Sequence, residues 1–316
     1  SEKVAVLGKI KEVSAGRVPL VLGHGGNNTK VLIESLKAFD LEGISAILSV
    51  TPAYNKPSQT GLYEHYKSFI ESSPLPVILY NVPGRTGVNM LSKTTLRIAH
   101  EFPAKVIAIK EASGDLAQMM EIINNAPDGF EVISGDDGIT LPLIAAGGKG
   151  LISVIANAFP HEMSSVVNFS LEDQYSEARK AHYELLNLIG LTFANGNPGG
   201  VKAMLNKIGI IENVLRLPLV PVVPETVPPL KLPANDVAVT MPLTFNPSVK
   251  LTVGVSDKIV LTLSVLIFIL FSYLSRDFHS SYRANPIIII SASKFVYSQC
   301  WAIILCTCNL NFVSRF

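Results

Sequence analysis

The sequence of 316 residues has little cysteine: Cys300, Cys306 and Cys308 all fall in its last stretch, beside its only tryptophan, Trp301. The part from Ser1 to about Pro221 is cysteine-free, which excludes a disulfide framework there and is compatible with a reducing compartment. Charge is scarce as well. Charged residues make up 16% and the net charge is +1, so no nucleic-acid or polyanion surface is expected. The opening Ser1-Glu2-Lys3 has no methionine, as in a processed chain or a fragment. It does not show the basic segment followed by an apolar run that marks a signal peptide. Gly23-His24-Gly25-Gly26 lacks the full dinucleotide fingerprint, because Asn28 stands where the last glycine would be. His161-Glu162 has Ser165 where a zinc-protease helix needs its second histidine. In Ser134-Gly135-Asp136-Asp137 the carboxylates are adjacent and lack the spacing of alternate ligands. Neither a metal nor a cofactor is expected.

What is present is alternation. Val18–Leu22, Ile44–Val50, Val77–Tyr80, Val106–Ile109, Phe130–Ser134 and Leu151–Ile155 read as near-continuously apolar strands. Between them, Asn28–Phe39, Leu62–Ser72, Leu91–Glu101, Leu116–Asn124 and Ile139–Ala146 carry helical periodicity. Six βα units repeating at about thirty residues call for a parallel sheet, doubly wound or closed as a (β/α)8 barrel. Nearly every strand ends in a polar or aromatic group: His24, Tyr54, Tyr80, Lys110, the Ser134-Gly135-Asp136 turn and Asn157. A barrel brings all its C-terminal strand ends to one site, whereas an open sheet scatters several of them, so the barrel is favoured.

Among these ends, Val106-Ile107-Ala108-Ile109-Lys110-Glu111-Ala112-Ser113-Gly114 stands out as a short apolar run that delivers one lysine and stops. An amine in a low-dielectric setting more readily gives up its proton, and a neutral amine attacks carbonyl groups to form a Schiff base. The plainer alternative is a lysine that snorkels to water or pairs with Glu111. In Tyr80-Asn81-Val82-Pro83-Gly84-Arg85-Thr86-Gly87, Tyr80 could relay a proton and Arg85 could grip a carboxylate with its planar fork; a structural tyrosine and a solvated arginine are the alternative. Tyr54, in Thr51-Pro52-Ala53-Tyr54-Asn55, is a second phenol or a packing aromatic.

The second half changes character. Residues 160 to about 213 read as helical without strands, and Pro221–Pro233 as a proline-rich linker. The hydrophobic fraction of 48% and mean hydropathy of +0.37 owe much to the tail beyond that linker. Ile259–Leu274 is an uncharged, mostly apolar run and Phe295–Ser314 is a second uncharged stretch. The tail reads as a membrane anchor, as a buried extra element, or as sequence never selected to fold. The last fits best with its near lack of acidic residues, Asp277 being the only one after Asp257.

The motifs at Tyr80–Gly87, Ile109–Asp115, Ser134–Asp137 and Gly150–Val154, in that order and spacing, resemble the dihydrodipicolinate synthase family of lysine biosynthesis. That family belongs to the pyruvate-dependent aldolase superfamily, which includes N-acetylneuraminate lyase. The resemblance runs from Ser1 to about Val222. It implies a (β/α)8 barrel in which pyruvate condenses on Lys110 and the enamine attacks aspartate semialdehyde, with Tyr80 as proton relay. It implies that Tyr54 reaches across a tight dimer interface into the neighbour's site, that Arg85 holds the semialdehyde's carboxylate, and that Gly135 and Ile152 line the site through backbone atoms. No cofactor is implied. The expected assembly is a homo-oligomer, a tetramer of tight dimers, in the cytoplasm; membrane association would arise only if residues 259–275 were a genuine anchor.

The resemblance also has gaps. The family's first two strands and the Gly-Thr-Thr-Gly-Glu type loop that binds the pyruvate carboxylate have no counterpart, so the barrel is expected to be incomplete, with two raw edges. The expected organisation is a partial barrel over 1–158, a helical region over 159–221, and a linker and apolar tail over 222–316. Asn27 matches the family's lysine-feedback site, but Val31 and Ala53 replace a glutamate and a tyrosine common there, which argues against inhibition by lysine. Two other readings stay open: a sister aldolase acting on a sugar acid, and an inactive fragment of a broken or fused gene.

Overall fold

A computed structural model describes residues 2–222 together with the backbone of two later strands, Asn285–Ser291 and Ile303–Cys308. After helix α1 (Glu2–Ser14) come six strands, each followed by helix or turn. They are β1 (Leu20–Gly23), β2 (Ile44–Val50), β3 (Val77–Asn81), β4 (Val106–Glu111), β5 (Glu131–Ser134) and β6 (Gly150–Ile152). The helices between them are α2 (Thr29–Leu36), α3 (Gln59–Ser72), the one-turn α4 (Pro83–Thr86), α5 (Ser92–Glu101), α6 (Leu116–Asn125) and α7 (Thr140–Ala145). The six strands are parallel and paired in sequence order. The curled sheet the alternation called for is present, with its helices outside.

Local chemistry sets the element boundaries. Asn28, Ser58 and Asp115 each accept a backbone N–H with the side-chain oxygen at the start of α2, α3 and α6, filling one of the donor positions that every helix start leaves open. Gly43, at φ +72, makes the left-handed step into β2 that a side chain would resist.

Alternation along the strands then divides the core in two, broken on β4 by a register irregularity that puts both Ile107 and Ala108 in the inner cluster. Val21, Ala46, Leu48, Ile78, Ala108, Ile133 and Ile152 point inward and pack as one cluster inside the barrel. Their neighbours Leu20, Leu22, Ile47, Leu79, Ile109, Val132 and Leu151 point outward, into the layer shared with the helices. Side chains two apart share a face of a strand, so Lys110 faces inward with Ala108, and Glu111 faces outward with Ile109.

Helices α8 (Pro160–Leu171), α9 (Tyr175–Ala194) and α10 (Gly199–Lys207) form the expected helical region. The segment after α10 returns to the start of the fold, where Arg216 pairs with Glu2 of α1 at 3.0 Å.

The gap between β6 and β1 is not left open. Strand β7 (Asn285–Ser291) runs parallel to β1, and β8 (Ile303–Cys308) runs antiparallel to both β6 and β7, giving a closed order β1-β2-β3-β4-β5-β6-β8-β7. Strands with unpaired N–H and C=O groups accept further strands, and here two segments of the tail take that place. One closing strand is antiparallel, so closure does not reproduce an all-parallel barrel. No helix among the described residues is long and apolar enough to cross a membrane; residues 259–275, the candidate anchor, lie outside them.

Candidate active site

Lys110 lies on β4, near its C-terminal end, and is 2% exposed. Directly opposite it in the β3–β4 register is Tyr80, and the lysine Nζ stands 4.3 Å from the centre of the tyrosine ring. Both face the interior, so the pair follows from strand alternation and register alone. Ala108, two residues before Lys110 on the same face, leaves room for its four-carbon stem.

Gly135 closes the next side. A Cβ there would fall 2.9 Å from Cε of Lys110 and 2.7 Å from Cβ of Ala112, so the close approach of backbone to lysine depends on the absence of a side chain. The Gly135 N–H donates to the Glu111 carbonyl at 2.7 Å, which holds the turn in place. Ile152, fully buried, belongs to the inner cluster. The backbone after β6 is fixed by Asp137, a buried carboxylate that accepts the N–H groups of Val154 and Ile155 at 3.1 Å each. Burial pushes the Asp137 carboxyl above its usual range. Among the described residues no group of three or more His, Cys, Asp or Glu side chains could hold a metal ion.

Tyr54 and Arg85 sit apart from this interior group. Tyr54 is 76% exposed and adopts φ +74, while Arg85 is exposed on α4. Their loops are joined: the Tyr54 N–H donates to the Thr86 carbonyl at 3.1 Å, the Thr51 N–H to the Tyr80 carbonyl at 3.0 Å, and the Thr51 hydroxyl to that of Thr86 at 3.3 Å. The structure thus brings Lys110, Tyr80, Gly135 and Ile152 together and sets Tyr54 and Arg85 in two joined, solvent-facing loops.

Besides Tyr54, two further strand-end groups do not join the interior group. His24 is buried outside the barrel, where its Nε2 meets the Leu32 carbonyl at 3.0 Å and its ring packs against Phe39 and Phe69. Asn157 ends a 3₁₀ turn, Ile155–Asn157, and donates to the Val154 carbonyl. The alternative pairing of Lys110 with Glu111 also fails, because adjacent strand residues face opposite ways. Glu111 instead accepts from Asn81, Gln118 and the Ser113 N–H, a set that sequence reading missed. Its signal was a carboxylate directly after the lysine, at the end of an apolar strand.

An amine on the inner face of a curled parallel sheet, at the C-terminal end of a strand and against a phenol, defines a class: barrel proteins that carry an interior strand-end lysine. Comparison with known proteins narrows it. Residues 1–232 match the dihydrodipicolinate synthetase family. The 4-hydroxy-tetrahydrodipicolinate synthase of Parabacteroides distasonis is 56% identical over 220 residues, covering 70% of this chain and 74% of the relative. The protein of the same name from Phocaeicola vulgatus is 54% identical over equal shares. Among solved structures, dihydrodipicolinate synthase from Thermotoga maritima aligns with a TM-score of 0.68 at 40% identity, covering 71% of this chain and 77% of that one. The enzyme from Acinetobacter baumannii, solved in complex with pyruvate, gives the same values. The chain belongs to the dihydrodipicolinate synthetase family.

Proposed function

We propose that this chain condenses pyruvate with aspartate 4-semialdehyde to give 4-hydroxy-tetrahydrodipicolinate, with Lys110 as the nucleophile. The amine of Lys110 adds to the ketone carbon, and loss of water leaves an imine. Loss of a methyl proton converts the imine to an enamine, whose carbon bonds to the aldehyde carbon of the second substrate. The amino group of that substrate then displaces Lys110 from the imine carbon and closes the ring. These steps move protons on and off nitrogen and oxygen, and the Tyr80 hydroxyl on the same inner face is the relay. The buried, inward placement of Lys110 against Tyr80 carries this reading, and family membership supports it.

Arg85 takes the carboxylate of the semialdehyde, for which an exposed guanidinium at the end of a one-turn helix is suited. Tyr54, a bulky residue held exposed at positive φ, is suited to a second copy of the chain: such backbone costs on the order of 1 to 3 kcal/mol and persists where its surroundings impose it. The assembly is then a homo-oligomer built on a tight dimer, with Tyr54 reaching the neighbour's site.

Borohydride reduction in the presence of pyruvate tests the chemistry. A pyruvate adduct mapped to Lys110 by mass spectrometry is expected, and a folded sample without that adduct would overturn the proposal. Arg85→Ala should leave this trapping intact and raise the KM for the semialdehyde at least about tenfold, the scale of a lost charge-assisted contact.

A further inference from the structure

Behind the reacting face stands a second constellation that the mechanism above does not use. Glu111, fully buried, follows Lys110 on β4, and Asn81 follows Tyr80 on β3; the two are register partners facing out of the barrel. One carboxylate oxygen of Glu111 accepts the Ser113 N–H at 2.8 Å and Asn81 Nδ2 at 3.1 Å, and the other accepts Gln118 Nε2 and Asn81 Nδ2, each at 3.1 Å. The supporting shell is equally closed. Asn81 Oδ1 accepts the Met90 N–H at 3.0 Å, and Asn89 Nδ2 donates to Gln118 Oε1 at 3.0 Å. Every donor to the carboxylate is neutral.

Fold stability alone gives no reason for this arrangement. Burying a carboxylate without a counter-ion is costly even when it is hydrogen-bonded, and apolar side chains of similar volume fill such sites at least as well. Burial accordingly pushes the Glu111 carboxyl above its usual range, against the hydrogen bonds that lower it. What the group gains is reach. Through Asn81 it fixes the strand that carries Tyr80, through its own backbone it fixes Lys110, through Ser113 it fixes the turn after β4, and its carbonyl holds Gly135 against the lysine stem.

We infer that Glu111 is a positioning residue for imine formation, the acceptor hub that sets the relative height of Lys110 and Tyr80 across the β3–β4 pair. The inference rests on Lys110 being the imine-forming lysine. Reacting groups displaced by about 1 Å lose roughly a hundredfold in rate, so a hub one residue from the nucleophile acts on rate more than on binding.

The test is the rate of borohydride trapping by pyruvate in the full chain, with the folded fraction followed by circular dichroism. Glu111→Gln puts an amide NH2 against donors. It should slow trapping at saturating pyruvate at least about tenfold per folded molecule, while half-saturating pyruvate changes less than about threefold. Adding Asn81→Asp exchanges donor and acceptor across the two strands and should return at least about threefold of the loss. If Glu111→Gln does not fold, Gln118→Ala removes a single donor and should slow trapping by about threefold or more.

A rate within about twofold of the parent, a loss that only follows the folded fraction, or no recovery in the double variant would each overturn the hub. A parent chain that forms no adduct would instead defeat the assignment of Lys110, so the two failures are distinguishable.

Discussion

Single residues here are governed by which side of a strand they fall on and by how close their neighbours come. Lys110 stood out in the sequence because an apolar run rarely ends in a cation, and Tyr80 because it is a phenol closing another apolar run. Pairing of Lys110 with Glu111, one of the alternatives open in the sequence, fails because adjacency along the chain says nothing of face until the pleat is applied. Gly135 makes the narrow contact at the lysine: in Gly135→Ala the new methyl would meet Lys110 and Ala112 at under 3.0 Å. Overpacking of that kind costs about 1 to 3 kcal/mol. The variant should unfold at lower urea and trap pyruvate more slowly, and a normal trapping rate would show that the lysine stem can move aside.

Elsewhere, His65 is buried on α3 with Nδ1 against the Thr29 hydroxyl, and burial pushes it down to about 4. Its folded value lies below its free value near 6.5, so its contribution is present above that pH and is lost as pH falls through about 4. The loss is on the order of 3 kcal/mol. Urea unfolding at pH 7 and pH 4.5 should show the parent losing more stability than His65→Gln, and equal losses would remove His65 as the cause.

At the scale of elements, strands and long helices followed from hydrophobic period, while boundaries moved by up to three residues: α3 begins at Gln59, before the expected Leu62, and α2 ends at Leu36, before the expected Phe39. The one-turn α4 and the 3₁₀ turns at Asp137–Ile139 and Ile155–Asn157 were not legible, because three or four residues hold no period. Strand ends that pass into such turns place side chains by turn geometry, which is why Asn157 missed the common rim. Helix α6 connects an element's start to the site. Asp115 caps it by accepting the Gln118 N–H at 3.1 Å, and Gln118 is one of the donors to Glu111. Asp115→Ala should cost about 0.5 to 2 kcal/mol in unfolding free energy. A thermal scan showing no change would mean that the cap is dispensable.

For the whole molecule, the parallel sheet was inferable from six repeats; the convergence of strand ends held for Tyr80, Lys110 and Gly135 but not for His24, Tyr54 and Asn157, and the closure was not inferable. Nothing in the sequence pairs Asn285–Ser291 with β1 or Ile303–Cys308 with β6, since long-range pairing of apolar strands carries no local signal. Closure gives the tail a role: covering two strand edges. A chain ending at Val222 would uncover both, and its apparent mass in sedimentation should rise with protein concentration more than that of the full chain. Equal behaviour of the two would show that the edges are protected in another way. Finally, the ion pair of Glu2 with Arg216 brings the start of α1 beside the end of the helical region. The two ends of the 2–222 segment, brought together in this way, can be sewn to each other and the polypeptide cut elsewhere. The exposed turn at Asp173, between α8 and α9, is a natural place for the cut. The fold of residues 2–222 is in that sense a loop of chain whose starting point is a matter of convention.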